Sequence, residues 1–201
     1  MTGMATPLVL ASQSPRRVEL MQEAGFIFET LPVDVEESHD PTLTPEQLTV
    51  ANATLKAVAG ARLRPDAVVI GADTLVYLDG APLGKPRDMA DAVSMIKKLS
   101  GKAHHVCTGV ALAQSGGSVV LPFAVISHVV CKPLSDEIIS DYYGKVNPLD
   151  KAGAYAIQEH GGMIIDHTEG SWSNIVGLPM ERLLEELAAL DLRPSHHHAS
   201  D

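Results

Sequence analysis

An α/β domain built on a mixed sheet is the fold this sequence predicts, and three observations predict it. Helical and extended patterns alternate along the chain, one long hairpin occupies the middle, and no internal repeat is visible. With 201 residues, 45% of them hydrophobic, the chain can bury one sizeable core and is short for two ordinary domains. A single domain over residues 1–192 is therefore expected, with residues 193–201 as a flexible tail.

The elements follow in order. Leu8 to Ala11 is a short apolar run, then Ser12-Gln13-Ser14-Pro15 leads into Val18, Leu20 and Met21 at helical spacing. That reads strand, loop, helix, with Ser14 as N-cap and Pro15 as the first helical residue. A second strand is expected over Phe26–Thr30, followed by a polar segment and a helix from about Pro45 to Leu63 that carries Lys56. Ala67 to Ile70 has the continuous apolar character of a strand buried on both faces, and it is expected to give out at Gly71-Ala72-Asp73-Thr74. Leu75 to Leu78 resumes it up to a turn at Asp79-Gly80. Met89, Val93, Ile96 and Leu99 mark one face of a helix closed by Ser100-Gly101. His105–Leu112 and Val119–Val130 form the antiparallel pair, with Gln114 to Ser118 as its turn, and Asp136–Tyr143 is a further helix. The last helix runs from about Pro179 to Leu190, with Leu183, Leu184, Leu187 and Leu190 as its buried stripe.

The formal charge of -10 argues against a general nucleic-acid binder, because affinity for a polyanion comes from many Lys and Arg contacts. Positive contacts to an anionic ligand must then be local. Cys107 and Cys131 each sit in an apolar stretch and read as reduced thiols in a core. The start of the chain carries no secretory signal pattern, and the uncharged stretch from Val106 to Cys131 is broken by a turn, so a cytoplasmic protein without a membrane span is expected. His196, His197 and His198 lie in a polar setting and read as part of the flexible end rather than a metal site.

Arg16 and Arg17 stand out because the first turn of a helix already carries partial positive charge and favours acidic residues. Two cations there are relieved if an anion accepts both guanidinium and backbone N–H bonds, as a phosphate would. The alternative is that both arginines reach solvent or pair with acids such as Glu19. Asp73, at the expected end of an apolar strand, could bind a metal or orient water, or could simply bond to its own loop. Glu36 and Glu37 with Asp34 form an acidic loop of the kind a hard cation uses, though such a loop is commonly just solvated. Lys85, between Gly84 and Pro86, offers a point charge for a phosphate or an ordinary exposed lysine. Gln158 ends a small-residue segment begun by Asp150 and Lys151 and could read a base edge through its amide. Trp172 to Pro179 reads mainly as structural. No Walker A loop, dinucleotide glycine loop or zinc-spaced Cys/His pair occurs.

Taken together, Leu10 to Arg17 with Glu19-Leu20, Asp34 to Glu37, Ile70 to Thr74, Leu83 to Pro86, Asp150 to Gln158 and Asn174 to Pro179 resemble the Maf-like nucleotide pyrophosphatases, from about Leu8 to Leu187. The resemblance implies a mixed twisted sheet flanked by helices with a central cleft, as in inosine triphosphatases. It also implies hydrolysis of a nucleoside triphosphate to monophosphate and pyrophosphate with a divalent cation, Mg2+ or Mn2+. By matching position, Asp73 is implied as the catalytic carboxylate that takes the proton of the attacking water. Glu37 supports the metal or water, the adjacent Glu36 leaving that choice open, and base and metal ligand are not separable at Asp73. Ser12, Ser14, Arg16, Arg17, Lys56 and Lys85 fall around the phosphates or in the pocket, Lys85 being counted with the catalytic residues. Arg16, Thr74 and Gln158 are associated with substrate choice.

The chain looks like the group acting on dTTP and UTP, including modified pyrimidine nucleotides. No aromatic residue precedes the arginine pair and no Asp-Pro-Thr replaces Ser173-Asn174-Ile175-Val176, the features of the 7-methyl-GTP group. The departure is Glu159-His160, where the family usually has Gly after the Gln. A homodimer is implied by the resemblance alone. The alternatives are a pyrophosphatase for 7-methyl-GTP or another non-standard nucleotide, and a nucleotide-binding regulator of septum formation with little turnover.

Overall fold

Seven strands form a mixed sheet in the order β2-β1-β3-β5-β6-β7, with β4 paired to β3. A computed structural model describes residues 6–114 and 116–195, so the triple-histidine segment and the first residues lie outside it. The chain divides into two compact units. One comprises residues up to Asp73, Thr108–Val125 and the segment from Gly177 onward; the other comprises Thr74–Cys107 and Ile126–Val176.

In the first unit, β1 (Leu8–Leu10) is the apolar run expected near the N-terminus, and it pairs in parallel with β2 (Glu29–Thr30) and β3 (Val68–Leu78). Three residues suffice because all three are buried between neighbours on both edges. α1 (Pro15–Glu23) starts as the sequence predicts, with Ser14 in the N-cap position and Pro15 supplying a preset φ. β2 is shorter than the predicted Phe26–Thr30, because Phe26 is buried while Ile27 is 80% exposed and unpaired in the ladder. α2 (Pro45–Leu63) is opened by a capping box, Thr44 accepting from Gln47 N–H and the Gln47 side chain accepting from Thr44 N–H.

Small residues decide where α2 lies. Its inner face is Ala53, Ala57, Gly60 and Ala61, packed with Val9, Ala11, Val69, Ala111 and Ala113. A Cβ on Gly71 would come within 2.1 Å of the Ala53 carbonyl, and one on Gly109 within 2.3 Å of the Thr49 backbone. The helix backbone therefore rests directly on two strands, a separation that only glycine permits there. α6 (Met180–Ala189) completes this unit. Its buried stripe is Met180, Leu183 and Leu187; Leu184 and Leu190, expected in the stripe, are half-buried on its flank.

The strand expected to give out at Asp73 does not. β3 runs unbroken from Val68 to Leu78, so Asp73 lies in mid-strand and the two predicted pieces are one. The polar residue is tolerated because its carboxylate finds donors, as the site below shows.

In the second unit, β4 (Ala81–Leu83) pairs antiparallel with β3 across Asp79-Gly80. α3 (Met89–Leu99) is capped by Asp88 and α4 (Asp136–Tyr143) by Ser135. On α3 the buried face is Ala92, Ile96 and Leu99, and Met89 is 44% exposed. β5 (Ala103–Gln114) and β6 (Ser118–Cys131) are neighbours joined through Gly116-Gly117, a connection too short for a parallel crossover. Both are longer than predicted and contribute to each unit. β7 (Ile165–Glu169) was not evident in the sequence: Asp166, His167 and Glu169 are exposed, the pattern of a charged edge strand. It pairs antiparallel with β6, with His128 opposite Glu169. α5 (Trp172–Val176) follows. The core here is larger-grained, built from Leu99, Val129, Tyr142, Ile164 and their neighbours, with both cysteines buried and unbridged.

Candidate active site

The polar residues of the first unit converge because three elements carry them to one place. The loop after β1 brings Ser12 and the start of α1, β3 brings Asp73, and α2 brings Asn52 and Lys56 on successive turns. Since α2 sits against the glycines of the sheet, Asn52 and Lys56 both reach Asp73. Lys56 Nζ lies 2.9 Å from Asp73 Oδ1 and 2.7 Å from Glu37 Oε1, so one ammonium bridges two carboxylates. It also donates to the Ala72 carbonyl at 3.4 Å. The second oxygen of Asp73, Oδ2, accepts from Asn52 Nδ2 at 3.2 Å.

Glu36 and Glu37 are both exposed in the acidic loop, and the Glu37 carboxylate is the one that meets Lys56. Partial burial pushes the Glu37 pKa up, but the hydrogen bond and charge of Lys56, then His39 and Arg17, outweigh it and hold the group below its ordinary value. Glu37 is thus kept ionised within reach of water, its side chain 40% exposed.

The two helix-start arginines part company. Arg17 is buried: Nε donates to the Gly177 carbonyl at 2.7 Å, and one terminal nitrogen donates to the Ala72 carbonyl at 3.0 Å and to Ser12 Oγ at 3.2 Å. It fastens α1 to β3 and to the start of the last segment, 160 residues away. Burial lowers its pKa, the Asp73 carboxylate opposing and Arg16 adding to the effect, with Glu37 also opposing. Arg16 is half-buried with no hydrogen-bond partner among the described residues. Neither arginine pairs with Glu19. Ser14 occupies the cap position but its hydroxyl makes no cap bond; its N–H donates to Ser12 Oγ at 3.2 Å. α1 has no acidic residue in its first turn, so the positive helix start faces Arg16 without an internal counter-charge.

The remaining predicted residues belong to the second unit. Thr74 follows Asp73 on β3 and is half-buried. Lys85 is exposed in the loop after β4, and that loop is anchored where Gly153 N–H donates to the Gly84 carbonyl at 3.0 Å. Gln158 is exposed at the end of a tightly held segment. Tyr142 and Tyr143 hydroxyls bond the Ala156 and Ala154 carbonyls, at 3.1 and 3.0 Å, and Ala154 itself adopts φ +62°. That conformation costs an alanine energy and is maintained by the tyrosines around it. Glu159, the departure beside Gln158, turns to Lys151, 3.3 Å away, and Lys151 also meets Asp150 at 2.9 Å while only 4% exposed.

Sequence reasoning missed Asn52, Ser38 and Gly177. Asn52 had a local signal, a polar side chain four residues before Lys56 beside a helix face rich in alanine and glycine. The Gly177 carbonyl had none, since its role depends on a contact made only in the folded chain. Among the described residues no three His, Cys, Asp or Glu side chains converge as a metal cage, and no helix is long and apolar enough to cross a membrane.

The mixed α/β sheet carries a pair of carboxylates bridged by Lys56 near a basic helix start, and its fold has a solved counterpart. The Staphylococcus aureus Ham1 protein superposes with a TM-score of 0.53 at 18% identity, over 92% of this chain and 99% of that one. The chain belongs to the Maf family: the family's sequence model, described as Maf-like protein, matches residues 7–190. Its relatives include the dTTP/UTP pyrophosphatase of Akkermansia muciniphila, 46% identical over 94% of this chain and all of that protein. Those of Geobacter metallireducens and Escherichia coli K12 are each 44% identical over 91% of this chain and 95% and 92% of their own lengths.

Proposed function

We propose that this protein hydrolyses dTTP and UTP, and modified pyrimidine triphosphates of the same shape, to the nucleoside monophosphate and pyrophosphate. The observation that carries this reading is the Lys56 ammonium bridging Glu37 and Asp73 in a chain matched to the family over residues 7–190. Water attacks the α-phosphorus, the bond to the bridging oxygen of pyrophosphate breaks, and the proton of the water passes to Asp73. Arg16, with the N–H groups at the start of α1, takes the charge that develops on the phosphoryl oxygens. Ser12 and Arg17 hold that start in place from beneath, and Ser14 N–H fixes the turn between them. Lys85, Thr74 and Gln158 keep the substrate roles their motifs imply, Lys85 toward phosphate and Gln158 toward the base.

Glu37 and Asp73 suit Mg2+ or Mn2+, because such ions take one or two protein carboxylates and complete their shell with phosphate and water. A bound cation would polarise the phosphoryl oxygens and acidify a water. Lys56 bridges the two carboxylates and helps keep Glu37 ionised. Residues 1–192 act as one functional domain in the cytoplasm, and the protein works as a homodimer.

Pyrophosphate release from dTTP, UTP, CTP, GTP and 7-methyl-GTP tests the reading, with Mg2+, Mn2+ and a chelator control. Fast release from dTTP and UTP that stops with chelator is expected. Release from 7-methyl-GTP alone overturns the base preference, and release from none moves the protein to the regulatory class. Asp73→Asn should lower kcat by ~100-fold or more, the usual scale for losing a proton acceptor.

A further inference from the structure

Asn52 is 2% exposed, and both polar atoms of its side chain are spent on Asp73 and on the backbone of Ser38, the neighbour of Glu37. Oδ1 accepts from Ser38 N–H at 2.8 Å, while Nδ2 donates to the Ser38 carbonyl at 3.2 Å and to Asp73 Oδ2 at 3.2 Å. Ser38 follows Glu37 in a stretch with neither helix nor strand, residues 31–43. A backbone of that kind has no ladder to hold it, so the amide's double grip on Ser38 fixes the peptides on either side of that residue. The grip also sets where Glu37 begins. Meanwhile Lys56 holds only one oxygen of Asp73, and a carboxylate held at one oxygen can still rotate about its Cβ–Cγ bond. With Oδ2 on Asn52, that rotation is stopped.

We infer that Asn52 is a positioning residue for the hydrolysis, orienting the Asp73 carboxylate and placing the Glu37 loop through one side chain that does not itself touch the nucleotide. This inference rests on the reading of Asp73 and Glu37 given above. Its consequence is a separation of rate from binding, since the phosphate contacts at Arg16 and α1 do not involve Asn52. Displacement of a catalytic group by about 1 Å is enough for a ~100-fold loss.

The test compares Asn52→Leu, which keeps the branching of the side chain and removes all three bonds, with Asn52→Asp, which keeps the acceptor for Ser38 N–H and removes the donor to Asp73 and to the Ser38 carbonyl. Thermal midpoint, kcat and KM for dTTP, and calorimetric affinity for α,β-methylene-dTTP are measured, with Asp73→Asn as control. Expected for both variants is a kcat lower by ~10- to 100-fold, with KM and analogue affinity within about threefold of wild type. An unchanged kcat beside an inactive Asp73→Asn overturns the inference and leaves the site reading intact. An active Asp73→Asn overturns the site reading, and the inference with it. Parallel loss of kcat, analogue affinity and thermal midpoint, or failure of both variants to fold, makes Asn52 a structural residue and overturns the positioning role.

Discussion

Arg16 and Arg17 are adjacent, chemically identical and destined for different work. Arg17 donates to two backbone carbonyls and a hydroxyl from a buried position, so lysine, with one ammonium in place of a fork, leaves acceptors unmatched. Arg17→Lys should lower unfolding stability by about 2–4 kcal/mol in urea titrations, the range for breaking a buried charged network. Arg16→Ala should leave that stability within about 0.5 kcal/mol and raise KM for dTTP about tenfold, because its guanidinium supports no protein acceptor. If the two effects exchange places, the division of labour at the helix start is wrong. The sequence showed that this pair was unusual, on the charge rule for helix starts alone. Which arginine turns inward was not legible, because the deciding acceptor, the Gly177 carbonyl, is 160 residues distant.

At the scale of elements, α2 is where the site is built and where local pattern says least. The helix is bounded as predicted, because Thr44-Pro45 and Gln47 are strong local signals. Its inner face was not legible, since alanine and glycine barely differ from their surroundings in hydropathy. Those residues set the distance between α2 and the sheet. Gly71→Ala would drive a methyl into the Ala53 carbonyl, backbone against backbone, and neither can retreat without moving the helix. A loss of about 3 kcal/mol or more is expected in thermal or urea unfolding, at the upper end of overpacking costs, with kcat falling as Lys56 is lifted from Asp73. A stable and fully active Gly71→Ala would contradict the close approach. β3 illustrates the opposite error. Asp73 reads as a strand end because aspartate is a poor strand former, yet the strand continues to Leu78 because Lys56 and Asn52 supply the donors that aspartate requires.

At the scale of the whole molecule, fold class was legible from the alternation of patterns, and family from motifs spread over most of the chain. The division into two compact units was not, because β3, β5 and β6 each continue from one unit into the other and leave no linker in the sequence. The pH response of global stability was equally hidden. His104 is fully buried, 2.7 Å from the Tyr155 hydroxyl and 3.9 Å from Cys131 Sγ, and burial, assisted by His105, lowers its pKa from 6.5 to about 4. The unfolded chain takes up a proton at pH 6.5 that the folded chain refuses until about pH 4. Its contribution is therefore complete above pH 6.5 and is lost as pH falls toward 4, by about 3 kcal/mol in all. Urea unfolding of wild type should weaken over that interval. His104→Gln should flatten the slope there, and an unchanged slope would show that other groups carry it.

The spacing of Asn52 and Lys56 has a consequence for how the gene can change length. Each residue of an α-helix turns the chain by about 100°, so deleting or inserting one position between them swings one side chain off the face that meets Asp73. The acidic loop before α2 has no such periodicity, and a residue added near Asp40 to Leu43 leaves both side chains aimed as before. Length variation compatible with activity should therefore gather ahead of Thr44 and be excluded from the span between Asn52 and Lys56.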